Sequence, residues 1–238
     1  MIPARKGSVG LKRKNLKRVG CLTLVGRAIK VARQIQSPVF IILSTDDEKI
    51  IKRYSKKVDL SIFRKTELSS NHARITDVIS DALKDLPNFG NDSLFILLEP
   101  TSPNRTVEDL DRAINKMADS NHNSLTFVSI VEAKFHPFKI LKPNTKNELI
   151  PYSRSTPAIS NRQEITEELY YRNGIAYIYR LESAKSLTST VPKGTCYIVT
   201  ERMVANIDTN FDLWVARYLY FKGLFYKLAH FKQRLNSS

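Results

Sequence analysis

Short apolar runs alternate with amphipathic stretches along the first half of the chain. Each run is as long as a strand buried on both faces, and each stretch repeats its apolar residues at helical spacing. This alternation predicts a doubly wound α/β sheet. The runs lie at residues 39–43, 60–64, 94–98 and 125–131, and the predicted helices at 22–36, 48–57, 76–86 and 106–120.

The second half of the chain is less regular. Residues 134–171 are rich in Pro, Asn and Ser, which indicates either a projecting arm or hairpin or a solvated surface loop. Strands are predicted at 170–179 and 196–199. A last helix at 212–235 carries aromatic residues among Lys and Arg, a pattern that suits packing against the sheet or binding to a membrane surface. We expect one domain over 1–238, with the arm at 134–171 inserted in it.

Polar residues follow two of the predicted strands, where open α/β sheets bind ligands. Asp46 and Asp47 come after the run at 39–43, and Glu99 comes after the run at 94–98. The loop at residues 2–15 contains two glycines and five cationic side chains and no acidic one. Such a loop can hold an anion through backbone N–H groups and cations, although a basic tail that only solvates has the same composition.

The formal net charge of +15 indicates an anionic partner, either nucleic acid, a membrane surface or a polyphosphate substrate. The sequence lacks zinc-finger spacing and a ribonucleoprotein aromatic motif, so nucleic acid is the less favoured partner. No apolar run approaches the ~18 residues of a spanning helix, and no apolar segment follows the basic N-terminus, which predicts a cytoplasmic protein.

Several motifs in order along the chain resemble the acylneuraminate cytidylyltransferases, the CMP-sialic acid synthetases. The resemblance runs from Ile2 to about Ala216. The motifs are Ile2-Pro3-Ala4-Arg5 with Lys14-Asn15, Ser44-Thr45-Asp46-Asp47-Glu48, Glu99-Pro100-Thr101-Ser102-Pro103, Asn173-Gly174 before Tyr177, and Ile207-Asp208-Thr209 before Asp212.

This resemblance implies an enzyme that joins CTP to a nonulosonic (sialic-acid-like) sugar, releasing pyrophosphate and forming a CMP-sugar with Mg²⁺. It also implies a Rossmann-like nucleotidyltransferase sheet with helices on both faces and a projecting arm that forms a homodimer. By matching position, it implies catalytic roles for Arg5, Lys14 and Asp208; nucleotide binding by Ala4, Arg5, Gly7, Ser8, Lys14, Asn15, Arg64, Ser70 and Thr76; sugar binding by Glu99, Lys139, Arg162, Asn173 and Tyr177; and metal binding by Asp208 and Asn206.

Three positions depart from the family pattern. Val9 replaces a phosphate-binding Lys, Glu99 replaces an amide on the sugar side, and Asn206 replaces a metal carboxylate. Glu99 favours a substrate other than ordinary N-acetylneuraminate. The family also places several apolar residues before Ile2, whereas here only Met1 precedes it, so we expect either a truncated first strand or a start farther upstream. Two further hypotheses therefore stay open, a divergent paralogue with weak or lost catalysis and a basic protein that binds nucleic acid or membrane.

Overall fold

The apolar runs form the strands of a central sheet. The computed structural model describes residues 1–7, 10–84, 86–90, 92–152, 165 and 167–236, with the backbone alone for residues 133 and 225–236. The strands are β1 Ile2–Pro3, β2 Arg18–Val19, β3 Leu22–Thr23, β4 Ile42–Thr45, β5 Leu60–Phe63, β6 Leu94–Leu97, β7 Ser124–Ile130, β8 Leu141–Pro143, β9 Leu149–Pro151, β10 Tyr170–Arg180 and β11 Cys196–Val199. The helices are α1 Leu24–Arg33, α2 Glu48–Tyr54, α3 Ile75–Leu83, α4 Val107–Ala118, α5 Leu181–Ala184 and α6 Asn210–Asn236.

Two groups of strands meet at the first residues of the chain. In one group β1, β4 and β5 run parallel, and in the other the order is β11, β7, β10 and β6. Met1 joins them, because its amino group donates to the Ile96 carbonyl at 2.7 Å and its carbonyl accepts from the Leu98 N–H at 2.9 Å. β10 runs antiparallel to both β6 and β7, so the sheet is mixed.

Helices cover both faces of this sheet. Successive side chains of a strand point to opposite faces, and along β10 Ile178 packs with one group of buried residues while Tyr177 and Tyr179 pack with another. The first group contains buried residues of α1 and α4, and the second contains buried residues of α3. This arrangement confirms the predicted α/β fold class.

Local signals located some elements well and others less well. The strand at Cys196–Val199 has the predicted bounds, and Thr106 and Asp109 form the predicted capping box before α4. β4 begins three residues after the apolar run at 39–43 begins and includes the buried polar residues Ser44 and Thr45. Polar side chains enter this strand because Arg64 donates to Ser44 and Thr45 donates to the Ala4 carbonyl.

Part of the predicted arm is a short hairpin. β8 pairs antiparallel with β9, and both strands are exposed. Residues 153–164 and 166 of the arm lie outside the described residues, and its role in forming a dimer stays a prediction. At the other end of the chain α6 runs from Asn210 to Asn236. Within the described residues, every helix is too short or too polar to cross a bilayer.

Candidate active site

A cavity of about 330 Å³ lies at the carboxyl ends of β1, β5 and β6. The loops that follow these three strands line it together with Asp208 from the segment before α6. Seven of the residues predicted from the sequence line this cavity: Arg5, Lys14, Asn15, Arg64, Ser70, Glu99 and Asp208. Their roles stay predictions, but the fold brings them to one place.

Hydrogen bonds to neighbouring loops hold the N-terminal loop. The buried Asn15 donates its amide to the Arg5 carbonyl at 2.9 Å, which ties the two ends of the loop together. The Lys6 N–H donates to the Asp46 carboxylate at 2.6 Å, beyond the end of β4. The Arg5 guanidinium donates to the Asn71 side chain at 2.6 Å. Arg5 therefore spans from the N-terminal loop to the loop that precedes α3.

The N-terminal loop also contacts the segment before α6. A Cβ added to Gly10 would stand 2.4 Å from the Asp208 carbonyl oxygen, so this approach requires a glycine. The Lys14 ammonium contacts the Asp208 carboxylate at 2.8 Å, and that carboxylate is 72% exposed to the cavity and solvent. Asp212 accepts hydrogen bonds from the N–H groups of Asp208 and Thr209 at 3.0 and 2.7 Å, which fixes the turn that presents Asp208.

Arg64 is buried at the base of the cavity. Its guanidinium donates to the Ser44 hydroxyl at 2.8 Å and to the Ser44 carbonyl at 3.0 Å. Burial lowers the pKa of Arg64 to about 10, and Asp46 opposes this effect while Arg5 adds to it. At neutral pH Arg64 remains a cation, and it adds positive charge behind Arg5.

Glu99 adds a carboxyl group to the lining of the cavity. Burial raises its pKa, the cations Arg105 and Lys14 oppose the shift, and Asp208 adds to it. Arg105 is itself buried, and it donates to the carbonyl groups of Glu99 and Ile175, the second at 2.7 Å. Arg105 thereby holds the end of β6 against the bend in β10, and burial lowers its pKa to about 10.

Three other predicted nucleotide residues lie outside the cavity lining. Ala4 is buried, and its N–H donates to the Ser44 carbonyl at 2.8 Å, so it anchors the loop to β4. Thr76 is buried at the start of α3, and its hydroxyl lacks a partner among the described residues. Gly7 is exposed in the N-terminal loop. Ser8, Val9 and the sugar-side Arg162 lie outside the described residues.

The remaining sugar-side predictions also lie outside the lining. Asn173 is buried, and it donates to the Ser129 hydroxyl at 3.1 Å and accepts from the Ile175 N–H at 3.2 Å. Tyr177 is buried among the apolar residues of one sheet face, and its pKa is raised by burial and by Glu99. Lys139 is exposed on a short turn at Pro137–Lys139. Their predicted contacts with a sugar stay predictions.

The donor set for a divalent cation is small. The structure groups no three His, Cys, Asp or Glu side chains as a ready metal cage in the part of the chain that it describes. Asp208 offers one exposed carboxylate in the cavity, while the exposed Asn206 lies outside the lining. Mg²⁺ is commonly held by one or two carboxylates together with substrate phosphates and water. Asp208 fits that mode of binding.

Sequence reasoning assigned no role to three residues that shape this site. Asn71 is the partner of Arg5, Arg105 connects β6 to β10, and Asp212 fixes the turn at Asp208. Asp212 had a visible signal, because an acidic residue in the first turn of a helix accepts from free backbone N–H groups. Arg105 had none, because its carbonyl partners at 174 and 175 lie about 70 positions away in the sequence.

The described fold is that of the nucleotidyltransferases. The chain is similar to the structure of CMP:2-keto-3-deoxy-manno-octonic acid synthetase complexed with CTP, with a TM-score of 0.68, 18% identity, and coverage of 93% of this chain and 97% of that one. It also resembles a putative glucose-1-phosphate thymidylyltransferase from Bacillus anthracis, with a TM-score of 0.56, 14% identity, and coverage of 92% and 93%. The family described as Cytidylyltransferase matches residues 1–219, so this chain belongs to that family.

Two relatives of known name are each less than 30% identical in sequence to this chain. An N-acylneuraminate cytidylyltransferase of Streptococcus agalactiae serotype III is 28% identical over 93% of this chain and 53% of its own length. A pseudaminic acid cytidylyltransferase of Campylobacter jejuni subsp. jejuni serotype O:2 is 25% identical over 92% of this chain and 94% of its own length. The chain therefore spans about half the length of the Streptococcus relatives and most of the length of the Campylobacter one.

Proposed function

We propose that this protein transfers the cytidylyl group of CTP to an acidic sugar of the nonulosonic type, giving a CMP-sugar and pyrophosphate. The observation that carries the proposal is the cavity that unites Arg5, Lys14 and Arg64 with Asp208 in a cytidylyltransferase-family fold. Three cations at the carboxyl ends of parallel strands suit a triphosphate. The exposed carboxylate of Asp208 would hold a metal ion, which would supply further positive charge to the site.

The reaction needs positioning and charge neutralisation. The anomeric hydroxyl oxygen of the sugar forms a bond to the α-phosphorus, the bond from that phosphorus to the bridging oxygen breaks, and pyrophosphate leaves while the hydroxyl proton is released. Negative charge grows on the phosphate oxygens during this step. Arg5 and Lys14 stabilise that charge because they line the cavity already fixed by their hydrogen bonds.

Asp208 would hold Mg²⁺, which supplies further positive charge to the phosphates when it is bound. In the free protein the Lys14 ammonium forms an ion pair with the Asp208 carboxylate. Lys14 lines the same cavity, so its ammonium would lie within reach of phosphates bound there.

The acidic sugar is the finer part of the proposal. It is supported by relatives named for acylneuraminate, pseudaminic acid and 3-deoxy-manno-octulosonate, which share a carboxylated sugar as their named substrate. Glu99 in the cavity lining suits a sugar hydroxyl, because its carboxyl group can accept a hydrogen bond whether or not it is protonated. Mg²⁺ and a homodimer are parts of the same proposal.

Pyrophosphate release tests the proposal directly. The purified chain is incubated with CTP, Mg²⁺ and one sugar at a time, drawn from N-acetylneuraminic, legionaminic, pseudaminic and 3-deoxy-manno-octulosonic acids. We expect release with at least one of them, no release without sugar, and loss of release in Arg5→Ala. CTP binding without turnover of any sugar would instead support a divergent paralogue. Absence of CTP binding would contradict both the enzyme hypothesis and the paralogue hypothesis.

A further inference from the structure

Helix α6 carries apolar residues on two faces. On one face Leu213 and Ala216 are buried, and they pack with Val19, Leu24 and Ile207 of the body. The ring of Tyr220 closes this contact, since it lies over the Arg27 guanidinium at 4.7 Å and against Gly20. This face explains how the start of α6 is attached to the rest of the fold.

The other face presents a ladder of exposed aromatic rings. Phe211, Trp214, Tyr218 and Phe221 follow one another at spacings of three and four residues, and their exposed fractions are 69%, 60%, 51% and 49%. Ring centroids of neighbours lie 6.0 Å apart from Phe211 to Trp214 and from Trp214 to Tyr218, in stacked geometry. The rings form one apolar stripe because i, i+3 and i+4 positions share a helix face.

The same spacing continues along the sequence at Phe225 and Leu228, within the helical backbone of α6. The helix of 27 residues is about 40 Å long, and the four described rings lie along its first half. Soluble monomers seldom leave a contiguous apolar surface of this kind uncovered.

The charge of α6 indicates which kind of partner covers the stripe. After Asp212 the chain contains no Asp or Glu, and its charged side chains are all cationic: Arg217, Lys222, Lys227, Lys232 and Arg234. Tyr and Trp rings favour the boundary between water and hydrocarbon, and cations beside them attract anionic headgroups. A second copy of α6 fits less well because two cationic helices would meet without acidic partners.

We propose that the aromatic stripe of α6 docks the protein on a membrane surface rich in anionic phospholipid headgroups, with the helix lying in the plane of the interface. The rings enter the boundary between headgroups and acyl chains, and the net positive charge of α6 attracts the helix to the phosphates. This docking is separate from cytidylyl transfer, since the stripe lies outside the candidate active site.

Trp214 reports on docking, because it is the only tryptophan of the chain. The full chain is mixed with vesicles of phosphatidylcholine alone or with phosphatidylglycerol added, and Trp emission and co-sedimentation are measured at low and high salt. We expect a blue shift of the emission, protection of Trp214 from a water-soluble quencher and co-sedimentation with the anionic vesicles, each weakened by salt. Neutral vesicles should give a much smaller response.

Two matched variants distinguish binding through the stripe from nonspecific hydrophobic binding to vesicles. Phe221→Ser removes one ring of the stripe, whereas Phe135→Ser removes an exposed ring outside it, which is 62% exposed against 49% for Phe221. We expect Phe221→Ser to weaken binding to anionic vesicles at least several-fold and Phe135→Ser to leave it unchanged, with both variants keeping the thermal unfolding temperature of the parent. Retained folding keeps the comparison interpretable.

Several results would overturn the proposal. Unchanged Trp214 emission with anionic vesicles would do so, as would equal losses in the two variants. Sedimentation of a dimer that Phe221→Ser converts to a monomer, without vesicle binding, would assign the stripe to a contact between copies. Binding to RNA that is lost in Phe221→Ser, again without vesicle binding, would assign it to nucleic acid.

Discussion

Lys14 and Asp208 lie 194 positions apart in the sequence, and their side chains meet at 2.8 Å in the cavity. The contact joins the N-terminal loop to the turn before α6. Surface ion pairs contribute little to stability, so we interpret this pair through its place in the cavity rather than through folding energy.

Removing the Lys14 ammonium should reduce catalysis far more than stability. We expect Lys14→Ala to lower kcat/KM for CMP-sugar formation about 10²- to 10³-fold, the usual cost of losing one preorganised charge-stabilising group. The measurement is steady-state pyrophosphate release. Lys12→Ala is the matched control, since Lys12 is an exposed cation of the same loop that does not line the cavity. Equal losses in both variants would show that net loop charge, and not Lys14 itself, matters.

Substitutions at Asp208 and Asn206 should change the Mg²⁺ requirement of the enzyme in different ways. Asp208→Asn should raise the Mg²⁺ concentration required for half-maximal activity, because the exposed carboxylate beside Lys14 is lost. Asn206→Asp should lower that concentration or leave it unchanged. Titration of activity with Mg²⁺ at saturating CTP measures both. A clear increase for Asn206→Asp would remove residue 206 from the metal site.

Gly10 should not tolerate a side chain. In Gly10→Ala the new Cβ would stand 2.4 Å from the Asp208 carbonyl oxygen, so the loop or the turn must move. We expect a loss of about 1–3 kcal/mol in the free energy of unfolding, together with weaker CTP binding. Gly7→Ala controls for loop composition, because a Cβ there meets nothing within 4 Å. Denaturant unfolding gives the comparison, and equal losses in the two variants would contradict the close approach.

Glu99 should make stability depend on pH. Its pKa lies above the ordinary value of 4.5 in the folded protein, mainly because of burial, so the folded protein keeps a proton that the unfolded chain releases. The contribution of the Glu99 carboxyl group to the free energy of unfolding is fully present below pH 4.5. It is lost as the pH rises through the raised pKa of the folded protein. Glu99→Gln should therefore raise the melting temperature at pH 7.5, with a smaller gain at pH 4.5.

The Glu99→Gln comparison is made without CTP and with a chelator, so that neither phosphates nor cations alter the carboxyl group. Glu201→Gln is the control, because Glu201 is exposed on a loop. A melting-temperature gain of the same size at both pH values would show that the raised pKa does not act on stability.

Local patterns predicted those parts of the fold whose causes are local. The capping box at Thr106 and the strand at Cys196–Val199 depend on neighbouring residues, and both were predicted correctly. The antiparallel direction of β10 depends on pairing with residues 94–97 and 124–130, which no local pattern encodes. The apolar run at 39–43 predicted a strand three residues early, because the buried partners of Ser44 and Thr45 come from elsewhere.

The candidate site shows the same division. The basic loop and Glu99 after the run at 94–98 line the cavity, as expected for polar residues at the carboxyl ends of strands, whereas Asp46 and Asp47 do not line it. The partners of each side chain were not predictable in this way. Asn173 illustrates the limit, since a polar residue beside a glycine suits a ligand contact equally well, and here its amide bonds to Ser129 and Ile175.

The first residues of the chain connect the two groups of strands beside the candidate site. Arg5 follows β1 and Glu99 follows β6, and Met1 hydrogen-bonds to Ile96 and Leu98. Ile2 of β1 and Leu98 also pack in one buried core. The spacing between the Arg5 cation and the Glu99 carboxyl group therefore depends on the same packing that stabilises the sheet, so substitutions at this junction should lower activity and stability together.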